Sequence, residues 1–160
     1  MDLRIGITGH SNLSPDTLPL VAAALRTLLT GTPSPIIGVS CLARGADQVF
    51  ARAVLNLGGE LEVVLPASDY RERKVKLSNA ADFDDLIGKA AKVITLPFEQ
   101  SNRDAYMAAS ERVLATVDSV VAVWDGRPAD GHGGTGDVVA SARQRGLAVT
   151  VVWPDGADRV

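Results

Sequence analysis

Apolar residues along this chain follow two periods, and each change of period marks an element. Short β-rich runs at 3–8, 36–40, 61–65, 93–96, 119–124 and 147–153 read as strands. Longer segments between them carry apolar residues three and four positions apart. Leu18, Val21, Ala22, Leu25 and Leu29 form one face of a helix. Ser14-Pro15-Asp16 marks its start, a capping residue followed by proline at the first helical position. Residues 45–57 read as a second helix, with Asp47 in its first turn and Gly58-Gly59 closing it. Further helices are predicted over 80–91, over 102–117 with Tyr106, Ala109, Val113 and Val117 on one side, and over 135–145. No repeat, low-complexity tract or linker interrupts the pattern, so residues 1–160 are expected to form a single domain.

Strands this apolar, separated by helices, are buried on both faces. That predicts an α/β domain: a doubly wound, mainly parallel sheet of about six strands with helices on both faces. Right-handed crossovers then gather the strand-to-helix loops at one rim. Such sheets bind ligands at that rim, where the strand order reverses. The first strand is expected at the centre, flanked by the second and by the one ending at Trp124, with the short 93–96 strand at an edge.

Three rim loops are unusual: Thr8-Gly9-His10-Ser11-Asn12, the 40–47 stretch from Ser40 through Arg44 and Gly45 to Asp47, and WDGRPADGHGGTGDVV at 124–139. The last holds five glycines between Gly126 and Gly136. Glycine is entropically costly in a folded chain, so this density implies a close approach of backbone to something else. Each loop sets glycine or small polar groups near a helix N-terminus, where free N–H groups and the dipole favour an anion. Candidate ligand contacts are Thr8, Gly9, His10, Ser11, Ser40, Arg44, Gly45, Asp125, Gly126, Gly133, Gly134 and Thr135, with Gly133, Gly134 and Thr135 holding a phosphate and Asp125 accepting from ribose hydroxyls. A plain turn remains the alternative for the first loop, a solvated cation for Arg44, and a dipole partner for Asp47. The basic stretch Tyr70 to Lys76 reads either as a solvated loop or as a flap over a bound phosphate.

Composition narrows the choice. A net charge of −3, a pI near 5.3, 4% aromatic residues and no basic stripe disfavour a nucleic-acid partner. One cysteine excludes an internal disulfide and disfavours a structural zinc site. MDLRIGITG has no basic-then-apolar leader and Arg26 interrupts the most apolar helix, so no membrane partner and a cytoplasmic location are expected. No metal site and no cofactor are expected. G-x-G-x-x-G after the first strand and the P-loop pattern are both missing. Gly38-Val39-Ser40-Cys41-Leu42 begins like a nucleophile elbow but has leucine at the second glycine position; a triad of Ser40, an aspartate and His10 or His132 would need that elbow.

ITGHSNL, SCLARGADQ and VVAVWDG…GHGGTGDVV together resemble the SLOG superfamily, the Rossmann-like group that includes LOG-type phosphoribohydrolases, DprA and molybdenum-cofactor carrier proteins. SCLARGADQ is similar to the S-G-x-A-R-G-x-D stretch of DprA, with Cys41 replacing a glycine. The Gly133-Gly134-Thr135 loop resembles the P-G-G-x-G-T-x-x-E loop of LOG enzymes. The resemblance implies a nucleotide or phosphoribosyl-ligand binding or sensing domain, holding a small phosphate-bearing ligand, and a homodimer associating through helices, for which residues 106–117 are the candidate. It also implies an alternative, hydrolysis of the N-glycosidic bond of a nucleoside monophosphate with Asp137 or Asp125 as the catalytic carboxylate, and a further one, single-stranded DNA binding. Asp137 stands one residue earlier and one methylene shorter than the LOG glutamate, and Arg112 is off the family's spacing. A one-residue displacement on a helix turns a side chain through about 100°.

Overall fold

The computed structural model describes residues 2–32, 35–128 and 134–160. The described residues form six strands and six helices in the order β1 (Leu3–Gly9), α1 (Thr17–Thr30), β2 (Ile36–Ser40), α2 (Ala46–Asn56), β3 (Glu60–Leu65), α3 (Tyr70–Lys74), α4 (Leu77–Lys89), β4 (Lys92–Thr95), α5 (Arg103–Thr116), β5 (Ser119–Val123), α6 (Thr135–Gln144) and β6 (Ala148–Val152). All strand pairs are parallel, in the order β4-β3-β2-β1-β5-β6. The predicted doubly wound sheet is present, with β1 between β2 and β5 and β4 at an edge.

Side-chain alternation along the strands builds a layer on each face. Ile5 and Ile7 of β1 and Val121 and Val123 of β5 pack with Val21, Leu25 and Leu29 of α1 and Phe50 and Val54 of α2. On the opposite face Val39, Val64 and Val120 pack with Ala109, Val113, Leu114 and Ala142 of α5 and α6. A third cluster, Leu61, Val63, Tyr70, Phe83 and Leu86, extends the first face under α3 and α4. The apolar side of α5 is therefore used within the chain: Ala105, Ala109, Val113 and Leu114 are buried against the sheet, and Tyr106 stays half-exposed. Each fully buried Leu, Val or Phe contributes about 1.5–3 kcal/mol through removal from water.

Two local predictions differ from what forms. Helix α1 begins at Thr17, not at Pro15. The Ser14 carbonyl accepts from the amides of Thr17 and Leu18, and its hydroxyl meets that of Thr17 at 2.7 Å, so 14–17 is a turn leading into the helix. Tyr70 to Lys74, read as a loop, is a short helix anchored by the buried Tyr70 ring, which lies 5.9 Å from the Phe83 ring. Among the described residues, no helix is long and apolar enough to cross a membrane.

Candidate functional site

The strand order reverses between β1 and β5. β1 is linked onward to β2 through α1 on one face, whereas α5 brings the chain to β5 from the other. A cavity of about 540 Å³ opens beyond the carboxyl ends of these two strands. That volume falls within the usual range for small-molecule sites. Its lining draws on all three rim loops: Thr8, Gly9, His10, Ser11 and Asn12; Cys41, Ala43 and Asp47; and Trp124, Arg127, Gly134, Thr135 and Gly136. Tyr70 and the α5 residues Tyr106, Ala109, Ser110 and Val113 complete one wall.

The loops are fixed to one another before any ligand is considered. The His10 amide donates to the Val123 carbonyl, carrying the β1–β5 ladder one residue past the strand. The His10 carbonyl in turn accepts from the Ala46 amide, at 3.2 Å, which ties the first loop to the start of α2. Gly45 has φ +88°, and a Cβ there would stand 2.7 Å from the His10 carbonyl oxygen. Packing between loops, rather than a ligand, demands this glycine. Leu42 is a buried residue with φ +56°, a conformation costly for leucine. It is held there because its amide donates to the Ser40 hydroxyl and its carbonyl accepts from the Gln48 side chain. Gln48 and Asn79 exchange two amide hydrogen bonds of 2.9 Å, locking α2 to α4.

Asp125, behind His10 at the edge of the cavity, is a well-satisfied carboxylate. It accepts from the Arg127 amide at 3.0 Å and from the Arg159 guanidinium at 3.2 Å, and its side chain is only 10% exposed. Burial works to raise its pKa, but the Arg127 amide, Arg159 and His10 outweigh it and hold it below the ordinary value. The Asp125 amide donates to His10 Nε2 at 3.2 Å, and the same nitrogen lies 3.3 Å from the Asp125 carboxylate. Burial, then the nearby Arg159, keep His10 below its ordinary pKa against the pull of Asp125. The ring is neutral near pH 7 and packs edge-on against Trp153 at 5.7 Å.

The floor carries less negative charge than its sequence suggests, for a different reason. Asp47 is buried, and burial pushes its carboxyl up to about 7 although the Ala43 amide donates to it at 3.2 Å. Burial and the neighbouring Asp47 raise the Cys41 thiol, and burial chiefly raises Tyr70. A thiol shifted upward is a poor nucleophile.

Arg159 was not foreseen. Residues 157–160 run back across the rim: Leu13 bridges antiparallel to Arg159, the Val160 amide donates to the Asn12 carbonyl, and Arg159 Nε donates to the Asn12 side chain at 3.0 Å. This return places the Arg159 guanidinium in the cavity wall.

The expected site residues divide three ways. Thr8, Gly9, His10, Ser11, Gly134 and Thr135 line the cavity, and Asp125 stands directly behind His10. Ser40 lies beneath, wholly buried, its hydroxyl donating to the Asp47 carbonyl and accepting from Leu42. Gly126 is exposed in the turn closed by the Trp124 indole donating to the Arg127 carbonyl, and Arg44 lines a neighbouring recess. Asp137 is exposed in the first turn of α6, where its amide donates to the Gly134 carbonyl. Gly133 and His132 lie outside the described residues.

No protein-family model and no curated protein matches the chain. Solved structures do. DNA processing protein A (DprA) from Streptococcus pneumoniae superposes with a TM-score of 0.72 at 19% identity, over 96% of this chain and 51% of DprA. The structural-genomics target TM1055 follows at 0.60 and 16%, covering 92% and 72%. The Moco carrier protein of Chlamydomonas reinhardtii gives 0.56 and 15%, covering 94% and 76%. The chain shares the Rossmann-like fold of these structures. It spans about half the length of DprA, and at these identities the likeness is one of fold. The cavity lies at the reversal point of the strand order, where open α/β sheets hold ligands.

Proposed function

We propose that the protein binds a nucleotide or phosphoribosyl ligand in the cavity between β1 and β5, with its phosphate toward the start of α6. The observation that carries this reading is the meeting of three rim loops around one cavity of about 540 Å³ whose acidic groups are neutral or already satisfied. Asp47 is about half protonated near pH 7, and Asp125 is engaged by Arg159 and the Arg127 amide. What remains for a guest is positive or neutral: the guanidinium groups of Arg127 and Arg159, the hydroxyls of Thr8, Ser11, Ser110 and Thr135, and the first N–H groups of α6. An anion fits that surface better than a cation.

Gly134 tests the assignment. Its backbone is extended, φ −74° and ψ 178°, so valine is sterically permitted at that position. Gly134→Val is expected to leave the circular-dichroism spectrum and melting profile intact and to abolish AMP binding in a calorimetric titration. Unchanged affinity would remove the phosphate from this loop.

Hydrolysis of a nucleoside monophosphate is the second reading, and Asp47 is what favours it. A carboxyl with a pKa of about 7 inside a ligand cavity can give or take a proton at neutral pH. Asp137 is exposed and Asp125 is committed to other partners, so neither is as well equipped. Release of free adenine from AMP, lost in Asp47→Asn, would establish it. The absence of base release across a panel of nucleoside monophosphates would leave binding alone. DNA binding, suggested by the DprA likeness, stands against a net charge of −3.

A further inference from the structure

A second recess, of about 410 Å³, adjoins the first; Ser11, Ala43, Tyr70 and Tyr106 line both. Its lining contains three cations, Arg44, Lys74 and Lys76, and no acidic residue. Among the described residues none of the three forms an ion pair, while other cations of the same region do: Arg71 with Asp84, Arg52 with Asp85, and Lys89 with Asp85. Carboxylates are thus plentiful on α4 but serve other partners.

The backbone aims these side chains. Val75 has extended geometry, φ −84° and ψ 113°, and its side chain packs into the cluster under α3 and α4. Lys74, the last residue of α3, and Lys76, just past the inward Val75, both line the recess. Arg44 is set between the strained Leu42 and Gly45, whose positive φ values leave that loop little freedom. Like charges brought together without a partner repel unless an anion joins them.

We propose that this recess is a second anion subsite, and that the ligand is a nucleotide carrying a second phosphate, one phosphate toward each cavity on either side of Tyr70 and Tyr106. The inference rests on the nucleotide-binding reading above and sharpens it: a nucleoside monophosphate would leave Arg44, Lys74 and Lys76 unused.

Calorimetric titration of the full chain with AMP, ADP and adenosine 3′,5′-bisphosphate, each against wild type and Lys74→Glu/Lys76→Glu, tests it. Both lysines are exposed, so the double variant should fold, which circular dichroism checks. Wild type is expected to bind at least one of the two diphosphorylated probes about tenfold tighter than AMP, the scale of one charge-assisted hydrogen bond. The double variant is expected to lose that preference while keeping AMP affinity within about twofold of wild type. Whether ADP or the 3′,5′-bisphosphate gains more tells where on the nucleotide the second phosphate sits. Equal affinity for all three probes, or a preference that survives the double substitution, overturns the subsite but leaves the first cavity standing. Failure of AMP together with lysine-dependent binding of inorganic pyrophosphate would keep the anion recess and discard the nucleotide reading. No binding by any probe, or lysine-dependent binding of a single-stranded oligonucleotide in place of mononucleotides, overturns the proposal.

Discussion

Replacing Asp47 by asparagine should convert a pH-dependent domain into a less dependent one. The side chain sits in the first turn of α2, where the helix dipole and the Ala43 amide both favour the anion, yet burial prevails and raises its pKa from 3.8 to about 7. A raised carboxyl pKa means that the folded state holds the proton more tightly than the unfolded one. Stability from this group is therefore complete below about pH 4 and is lost as pH rises to about 7. The interval between 3.8 and about 7 corresponds to about 4 kcal/mol, an upper value because the cavity beside Asp47 is open to water. Asparagine keeps an oxygen for the Ala43 amide and cannot ionise. Urea unfolding of both proteins from pH 4.5 to 8.5 is the assay. Other titrating groups cancel in the difference, which should grow in favour of Asp47→Asn across pH 4.5–7.5 and then level off. Parallel curves with a constant offset would refute the burial argument. Ligand binding offers an independent check: an anionic guest above this floor should bind wild type progressively less well as pH passes about 7, and the variant without that loss.

Three further outcomes follow from particular contacts. In Gly9→Ala the new methyl would lie 2.5 Å from Ala46 Cβ and 2.9 Å from Val123 Cβ, far inside normal contact, with a buried helix start on one side and a central strand on the other; a loss of about 3 kcal/mol is expected in urea unfolding, and a change below about 0.5 kcal/mol would mean that α2 moves freely. Arg159→Ala should cost about 1 kcal/mol of stability, since the guanidinium is 36% exposed although Asp125 is not, while weakening AMP binding and raising the His10 pKa seen by NMR, because Arg159 acts to lower it; an unmoved His10 titration would contradict the placement of the guanidinium. Arg4 and Glu62 form a two-pronged pair of 2.9 and 2.7 Å across β1 and β3, and the hydrogen bonds from Arg4 hold Glu62 below its ordinary pKa. That contribution is present above pH 4.5 and lost as pH falls through the lowered value, so Glu62→Gln should cost about 1.5 kcal/mol at pH 7 and much less at pH 3 by thermal melting.

The sheet was readable because parallel strands buried on both faces are written as continuous β-branched runs, and each such run was found within two residues of its end. Elements defined by a single anchor were not. Helix α3 carries charge on most of its surface, and its one buried side chain among the described residues is Tyr70, set against Phe83 and Tyr106. At the rim, the sequence located loops but not the purpose of each residue. Their place near helix N-termini in rim loops suggested a ligand at Gly9 and Gly45, whereas at both positions protein atoms already fill the space that a side chain would need.

Asp47 and Arg159 show why the remainder was hidden. An aspartate one position inside a helix looks the same in sequence whether its carboxylate faces water or a cavity; the difference is made by Tyr70 and Cys41, brought beside it from other elements. Arg159 is more distant still, separated from Asn12 by 147 positions and joined to it by a hydrogen bond of 3.0 Å. A single bridged residue and a few polar contacts hold residues 157–160 to the rim, which no hydrophobic period could announce. Yet these two groups set the charge of the cavity, one by surrendering its own near neutrality and the other by supplying a cation that occupies Asp125. On the proposed reading that balance, more than the glycines, would select the guest: removing residues 157–160 should free the Asp125 carboxylate, make the rim beside the cavity more acidic, and weaken anion binding while leaving the sheet intact. Anion affinity undiminished in that truncated chain would show that the α6 loop suffices alone.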